Sequence, residues 1–239
     1  MQRPTPKTSV SKCIALGMYA QGMLAQFPDN PVLAELAATL GAATAALSAA
    51  QGTYAAAVLA IIAPRVKVRF ADYSSDKVVR SVQRAAETAD DGKNGKIASA
   101  VFPDGVTPIV RPVGQTQCDQ MRALEGRLEA AMALWPAAGA EKAKVAAERV
   151  KYEAALAGRR DAVEAAATLR AKRDVAKEDF LDVYAATASR VGEQFPRQRA
   201  MQDLFFDQVT DAVVADEAAD PGDDTEPPAS PAPPAPPPA

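Results

Sequence analysis

The sequence predicts an all-α protein in which long alanine-rich helices form two antiparallel hairpins. Together they make an elongated four-helix-type bundle with a Gly/Pro-rich crossover and a disordered C-terminal tail. Three observations predict this. Hydrophobic residues make up 48% of the 239 residues but aromatic ones only 5%, so alanine, a strong helix former, supplies much of the apolar content. Leucines recur at helical spacing between residues 31 and 62. The last twenty residues are rich in proline and lack large apolar side chains.

Residues 1–30 are expected to form an N-terminal arm and a short helix. The weakly apolar run Cys13 to Phe27 follows three basic residues, which is the order found in targeting signals. Gly17, Gln21 and Gly22 interrupt this run. We therefore interpret it as a helix of the mature protein rather than a cleaved signal peptide.

The first helical hairpin is predicted for residues 31–90. Large residues recur every seven positions and smaller ones follow each by three, as in coiled coils: Leu33, Leu40, Leu47, Tyr54 and Ile61, then Leu36, Ala43, Ala50 and Ala57. Alternating bulk with alanine allows a neighbouring helix to approach closely. Asp29 or Asn30 is the expected cap, with Pro31 at the first helical position, and Pro64 predicts a break or kink.

The second part of this hairpin is predicted from about Ala71 to Ala89. Its inward residues are expected to be Tyr73, Val78, Val79, Val82 and Ala86, with Asp72, Asp76, Lys77, Arg80, Arg84 and Glu87 largely outward. The segment 66–70 (VKVRF) alternates like a strand but has no partner strand, so a turn or helix is favoured. The pattern leaves open whether the chain reverses there or continues the preceding helix.

Residues 91–117 form the Gly/Pro-rich crossover, the one long segment without a helical pattern. Pro103-Asp104-Gly105 indicates a turn. Its apolar residues are expected to pack on the bundle: Val101, Phe102, Val106, Ile109, Val110 and Val113.

The second helical hairpin and a short terminal helix are predicted for residues 118–215. One face first carries Leu124, Leu128, Ala131 and Trp135, then Val145, Tyr152, Leu156 and Val163, and last Leu169, Ala176, Phe180, Val183, Tyr184, Val191 and Phe195. Pro136 and Gly139 suggest a kink, and Gly158 a reversal. The last long helix should end between Gln194 and Pro196, followed by a short helix over 199–214.

Residues 216–239 are predicted to be a disordered acidic and proline-rich tail. After Thr210 the chain holds seven acidic residues and no basic one. The body before this point therefore carries 27 basic and 23 acidic residues, although the whole chain has a formal charge of −3. Proline at this density favours an extended, solvated backbone.

Much enzyme and metal chemistry is excluded by the residue inventory. The chain has no histidine, so Ser-His or Cys-His nucleophile pairs and histidine-ligated metals are excluded. Cys13 and Cys118 lack the spacing of a zinc site or a disulfide framework and are interpreted as buried thiols. Asp203, Asp207 and Asp211 share a helix face but are interpreted as surface residues. We expect no cofactor, no metal site and no small-molecule substrate.

The charged stretch 141–179 mixes both signs at i to i+4 spacing, which is typical of a solvated helix face. A nucleic-acid groove needs net positive charge with interleaved aromatic residues, so we do not expect nucleic acid as a partner. No consecutive apolar run reaches the roughly 18 residues needed to span a bilayer. We therefore expect a cytoplasmic protein and regard membrane binding as the less favoured alternative.

Two groups of residues are candidates for binding a partner. Phe102, Ile109 and Val110 lie in the crossover, where they either join the two hairpins or form a docking loop. Met201, Leu204, Phe205 and Phe206 precede the tail. They either attach the final helix to the bundle or form a docking patch.

The function most consistent with the sequence is a non-enzymatic one, either self-association or binding of a protein partner by the helical bundle. Heptad periodicity and the lack of a catalytic constellation support this hypothesis. The alternatives are an amphipathic helical protein that binds a membrane or an apolar granule surface, and an enzyme with a carboxylate-only metal site inside the bundle.

Overall fold

A computed structural model of the chain describes residues 3–92 and 95–206. Within these residues the structure contains eight helices and no strand, which confirms the all-α bundle. The helices are α1 (Val10–Leu24), α2 (Pro31–Ala60), α3 (Ile62–Ala89), α4 (Lys96–Val101), α5 (Thr107–Val110), α6 (Gln115–Ala131), α7 (Ala138–Gln194) and α8 (Arg199–Leu204). The predicted tail 216–239, together with Asp207 and Asp211, lies outside the described residues.

Helices α2 and α3 follow each other without a reversal, so the turn expected inside 31–90 is not formed there. Ile61 between them has helical backbone angles, and the N–H of Arg65 donates to the Ile61 carbonyl at 3.1 Å. Residues Pro31–Ala89 thus form one run of 59 residues. Asn30 caps its start as predicted, accepting bonds from the Val32 and Leu33 N–H groups at 3.1 and 3.2 Å.

Helix α7 is a single helix of 57 residues, and the chain does not reverse at Gly158. Gly158 is solvent-exposed and a Cβ there would contact nothing, so this glycine only lowers helix propensity. The interruption instead lies between α6 and α7, where Pro136 is located. Helix α7 ends at Gln194, as predicted.

The described residues divide into two compact units. The first comprises residues 3–51 and 173–206. Its core contains Leu33, Leu40 and Leu47 from α2, together with Phe180, Tyr184 and Val191 from α7. The segments of α2 and α7 in this unit are antiparallel, because Phe27 before α2 contacts Phe195 after α7 while Thr44 and Phe180 both border Gly17.

The second unit comprises residues 52–92 and 95–172. Its core joins α3, α4, α5, α6 and the start of α7: Val79, Val82, Ala86, Ile97, Val101, Ile109, Met121, Leu124, Leu128, Trp135 and Val145. The predicted crossover therefore contains two short helices rather than irregular chain alone. Three residues predicted to lie on the packing side are exposed instead, Tyr73 at 60%, Val113 at 58% and Val163 at 45%, because the core contacts fall on other sides of their segments.

Candidate functional site

A row of large apolar side chains lies on the surface of the second unit. Leu59, Ile62, Val66, Phe70 and Tyr73 are between 57% and 69% exposed. Their spacings of three, four, four and three residues place them along one face of the continuous helix α2–α3. We call these five residues the apolar stripe. Together they expose on the order of 600 Å², about the size of the largest apolar patch on a typical monomer.

Basic residues surround the apolar stripe. Arg65, Lys67 and Arg69 are exposed, and none of them forms a salt bridge within the described part of the chain. Beyond the stripe, the ammonium of Lys77 lies 5.6 Å from the ring centroid of Tyr73. Arg84 follows on the same helical line. The stripe thus combines exposed apolar area with positive charge that is not neutralised by ion pairs.

The helix before the stripe is also apolar and poorly covered. The 29 residues from Leu36 to Pro64 carry no charge. Among the described residues, one helix, Pro31–Ala89, is long and apolar enough to cross a membrane, with a mean hydropathy of 1.6 over an 18-residue window. Only 6% of that window is buried. The sequence analysis considered uninterrupted apolar runs alone, and polar residues such as Gln51 and Thr53 interrupt this segment.

The crossover residues proposed for docking lie mostly in the core of the second unit. Phe102 is 6% exposed and Ile109 2%, and Val110 packs against the same core. Arg127 donates from Nε to the Val101 carbonyl at 2.8 Å and holds the segment on α6. The three side chains therefore pack within the second unit, and the sequence had left open a role between two hairpins or in a docking loop.

The second candidate group lies mostly in the core of the first unit. Phe205 and Phe206 are buried, and Met201 packs against that core. Phe205 stacks on Phe195 with ring centroids 5.5 Å apart, and Phe206 meets Tyr184 edge to face at 5.6 Å. Leu204 is 47% exposed. These contacts attach α8 to the bundle and leave little of the group for a partner.

A buried polar network lies within the second unit, where Tyr152 connects three segments. Its hydroxyl donates to Asp72 Oδ1 at 3.2 Å and accepts from the Gly114 N–H at 2.7 Å. Gln117 Nε2 donates to Asp76 Oδ1 at 2.8 Å. Asp72 and Asp76, predicted to face outward, therefore bond inward. Burial and the neighbouring Asp72 charge raise the pKa of Asp76, and burial chiefly raises the pKa of Tyr152.

An ion-pair cluster joins α6 and α7 beside this network. Arg149 donates to Glu125 Oε1 at 2.6 Å and to Glu153 Oε2 at 2.9 Å, and Arg122 donates to Glu153 Oε1 at 2.6 Å. Hydrogen bonding to Glu125 raises the pKa of Arg149. Each carboxylate in the cluster accepts from a guanidinium, so the cluster holds the two helices together and leaves no carboxylate there without a partner.

The described residues contain no group of three or more cysteine, aspartate or glutamate side chains placed to hold a metal ion. Cys13 and Cys118 are both buried, as predicted. Burial raises the pKa of Cys118 to about 11, further raised by the charges of Glu153 and Asp119. At neutral pH this thiol is therefore protonated and a weak nucleophile.

The sequence analysis did not identify the apolar stripe because the heptad from Leu33 to Ile61 predicts that a different face of the helix packs on its neighbours. Leu59 and Ile62 lie among alanines, Val66 and Phe70 were assigned to a possible turn, and Tyr73 was assigned to the core. The spacing from Leu59 to Tyr73 is helical throughout. It becomes visible in the sequence only if the helix is continued through Pro64.

Comparison with known proteins does not assign this site. No family model, no curated protein and no solved structure matches the chain.

Proposed function

We propose that the chain is a non-enzymatic helical-bundle protein that acts by protein–protein interaction through the apolar stripe. One observation carries the proposal: five large apolar side chains are exposed in a single helical row. Scattered apolar residues are normal on surfaces, but a contiguous row of this size marks an interaction site. The spacing of the row matches the seam by which helices pack on one another.

A double substitution in the stripe tests the proposal. Ile62→Lys with Phe70→Lys places two charges in the row without touching the core of the second unit. We expect the full-length wild type to be a dimer or larger, or to retain a specific partner, and we expect the variant to lose that association. Multi-angle light scattering over a range of concentrations measures the mass, and affinity purification measures partner retention.

The matched control is Val163→Lys with Val175→Lys, which adds the same charge at exposed valines of α7. Circular dichroism confirms that both variants remain helical. A wild-type chain that is strictly monomeric and retains no partner contradicts the proposal. So does a stripe variant that associates as well as the control.

A second candidate function is binding to a membrane or an apolar granule surface. It is favoured by the uncharged, poorly covered segment of α2 and by the basic residues that follow it. Flanking arginine and lysine beside an apolar helix are typical of interfacial binding. Flotation of the full-length protein with phosphatidylcholine/phosphatidylglycerol vesicles tests this function, and protein that stays in the soluble fraction contradicts it.

A further inference from the structure

We infer that the apolar stripe binds an acidic amphipathic α-helix of another protein chain. This inference rests on the proposed function and adds the chemistry of the partner. Helix α3 carries six basic residues, Arg65, Lys67, Arg69, Lys77, Arg80 and Arg84, against three acidic ones.

None of the three acidic residues of α3 forms a salt bridge with Arg65, Lys67 or Arg69 in the described part of the chain, whereas the charge of Arg80 acts on Asp76. Asp72 accepts from Tyr152 and Asp76 accepts from Gln117, both toward the interior of the second unit. Glu87 accepts from Gln83 at 3.1 Å, about four turns beyond the end of the stripe. The surface around the stripe is therefore positive, and a partner that brings carboxylates gains attraction and faster association.

A second copy of this chain fits the stripe poorly. Arg65 and Lys67 lie on opposite sides of the stripe. Parallel pairing brings Arg65 of one copy next to Lys67 of the other, and antiparallel pairing about Val66 brings the same basic side of each copy together. Like charges in either arrangement oppose association, and no carboxylate of α3 is placed to relieve them.

A helix fits the stripe better than a membrane surface or a nucleic acid does. Before Leu59 the same helical line carries Gly52 and Ala55, both exposed, whose small size lets another backbone approach. Such residues contribute little to lipid insertion. Nucleic acid would leave the aliphatic side chains of the row without an apolar partner.

The arrangement also specifies which parts of the partner helix are apolar and which are acidic. The apolar stripe, from Leu59 to Tyr73, requires an apolar face on the partner helix. The basic residues beside the stripe, Arg65 and Arg69, and those beyond it, Lys77 and Arg84, require carboxylates on the partner. The distance along the axis from Leu59 to Arg84 is about 37 Å, the length of a helix of about 25 residues. The partner therefore has an apolar face bordered by acids, and its end over Arg84 is acidic throughout.

Binding of two synthetic helical peptides to the full-length protein tests the inference. Both are fluorescein-labelled, about 25 residues long, with leucine at a and d; one carries glutamate at the flanking positions and the other lysine. We expect the glutamate peptide to bind at least about tenfold more tightly, and its affinity to fall about tenfold between about 0.05 M and about 0.5 M NaCl. Fluorescence anisotropy measures both.

Charge reversal on the protein sharpens the test. Arg65→Glu, Lys67→Glu and Arg69→Glu together should invert the preference, so that the lysine peptide binds more tightly. The matched control reverses three exposed basic residues outside α3, Arg111→Glu, Lys172→Glu and Arg190→Glu, and should keep the wild-type preference. Such an inversion cannot result from a misfolded variant, which would bind neither peptide.

Other outcomes overturn the inference in distinguishable ways. In one such outcome, the wild type binds both peptides with equal affinity and the Ile62→Lys/Phe70→Lys variant binds neither. That result contradicts the inference of an acidic partner but agrees with the proposed function. Wild-type dimerisation through the stripe without peptide binding identifies a second copy as the occupant. Binding to anionic vesicles but to neither peptide identifies a membrane. If the stripe variant changes none of these measurements, the proposed function itself fails.

Discussion

Gly17 of α1 lies where three helices of the first unit meet. A Cβ at this position would clash with the Thr44 hydroxyl and would lie 2.7 Å from Cε2 of Phe180. Thr44 is buried and donates from its hydroxyl to the Leu40 carbonyl at 2.8 Å, so it has little freedom to move. The glycine is therefore required by close packing, whereas Gly22 in the same helix has open space around its Cα.

Gly17→Ala should destabilise the fold and Gly22→Ala should not. Forcing a methyl group into a packed core costs about 1–3 kcal/mol, while removing an exposed glycine from a helix interior gains about 0.5–1 kcal/mol. Urea unfolding followed by circular dichroism measures both variants. Equal effects of the two substitutions would show that α1 does not pack as described.

Asp76 gives the second unit a dependence on pH. Because burial and Asp72 raise its pKa above the value of 3.8, the folded state binds a proton more tightly than the unfolded state. The stability that Asp76 contributes is therefore fully present below its unfolded pKa and is lost as pH rises through the raised folded pKa.

Asp76→Asn should remove this loss. The free energies of unfolding of the variant and the wild type should be closest near pH 3. As pH rises to about 6, the variant should become more stable relative to the wild type. Urea midpoints measured across this range test the prediction. Asp104→Asn, at an exposed site, removes the same charge as a control, and an equal gain there would contradict the role of burial.

The residue scale also shows a cap that the sequence did not reveal. Asp90 accepts from the N–H groups of Ile97 and Ala98 at 3.1 and 2.7 Å and so caps α4. A cap usually lies directly before its helix, as Ser9 and Asn30 do. Asp90 lies six residues before α4, too far along the chain for the usual spacing of a cap to indicate its role.

At the scale of elements, Pro64 lies just after the division between α2 and α3, in agreement with the predicted break or kink, but the chain does not reverse there. It lies near the start of α3, and the chain stays helical across the junction while the Ile61 N–H bonds to the Val58 carbonyl at 3.2 Å. Proline removes one backbone donor and crowds the preceding turn. The remaining hydrogen bonds and the contacts of the long helix outweigh this local cost.

Pro64→Ala should therefore stabilise the protein, by about 1–3 kcal/mol, since alanine restores the missing N–H inside the helix. Pro31→Ala is the control, because proline at a helix start loses no hydrogen bond and the change there should be nearly neutral. Thermal unfolding by calorimetry measures both. A Pro64→Ala variant no more stable than Pro31→Ala would indicate a real break in the helix.

Helix type and most helix ends were predictable, whereas reversals were not. Alanine content, caps and heptad spacing specify a helix locally, which is why the cap at Asn30 and the end near Gln194 were predicted. Gly158 and Pro64 suggested turns because glycine and proline weaken any helix. Whether the chain turns there depends on what packs against the helix, and that information is not local.

At the scale of the whole molecule, the first unit is built from two segments distant in sequence, and the second from the continuous chain between them. The first unit combines residues up to Gln51 with residues from Arg173. Two sequential hairpins would instead have kept each half of the chain together. The heptad positions show this division, since Leu33, Leu40 and Leu47 are fully buried in the first unit whereas Tyr54 and Ile61 are only partly buried.

The sequence by itself determined that the protein is all-α, where its long helices lie and which residues form much of their cores, because propensity, capping and periodicity act over a few residues. Only the tertiary structure decided that Phe102 and Phe205 are buried, that Asp72 and Asp76 bond inward, and that Leu59 to Tyr73 are exposed. An apolar residue at helical spacing can face either a core or the surface. Which of the two it faces depends on contacts between segments distant in the sequence, such as Asp72 with Tyr152, 80 residues apart, and the contacts of the second unit leave the apolar stripe uncovered.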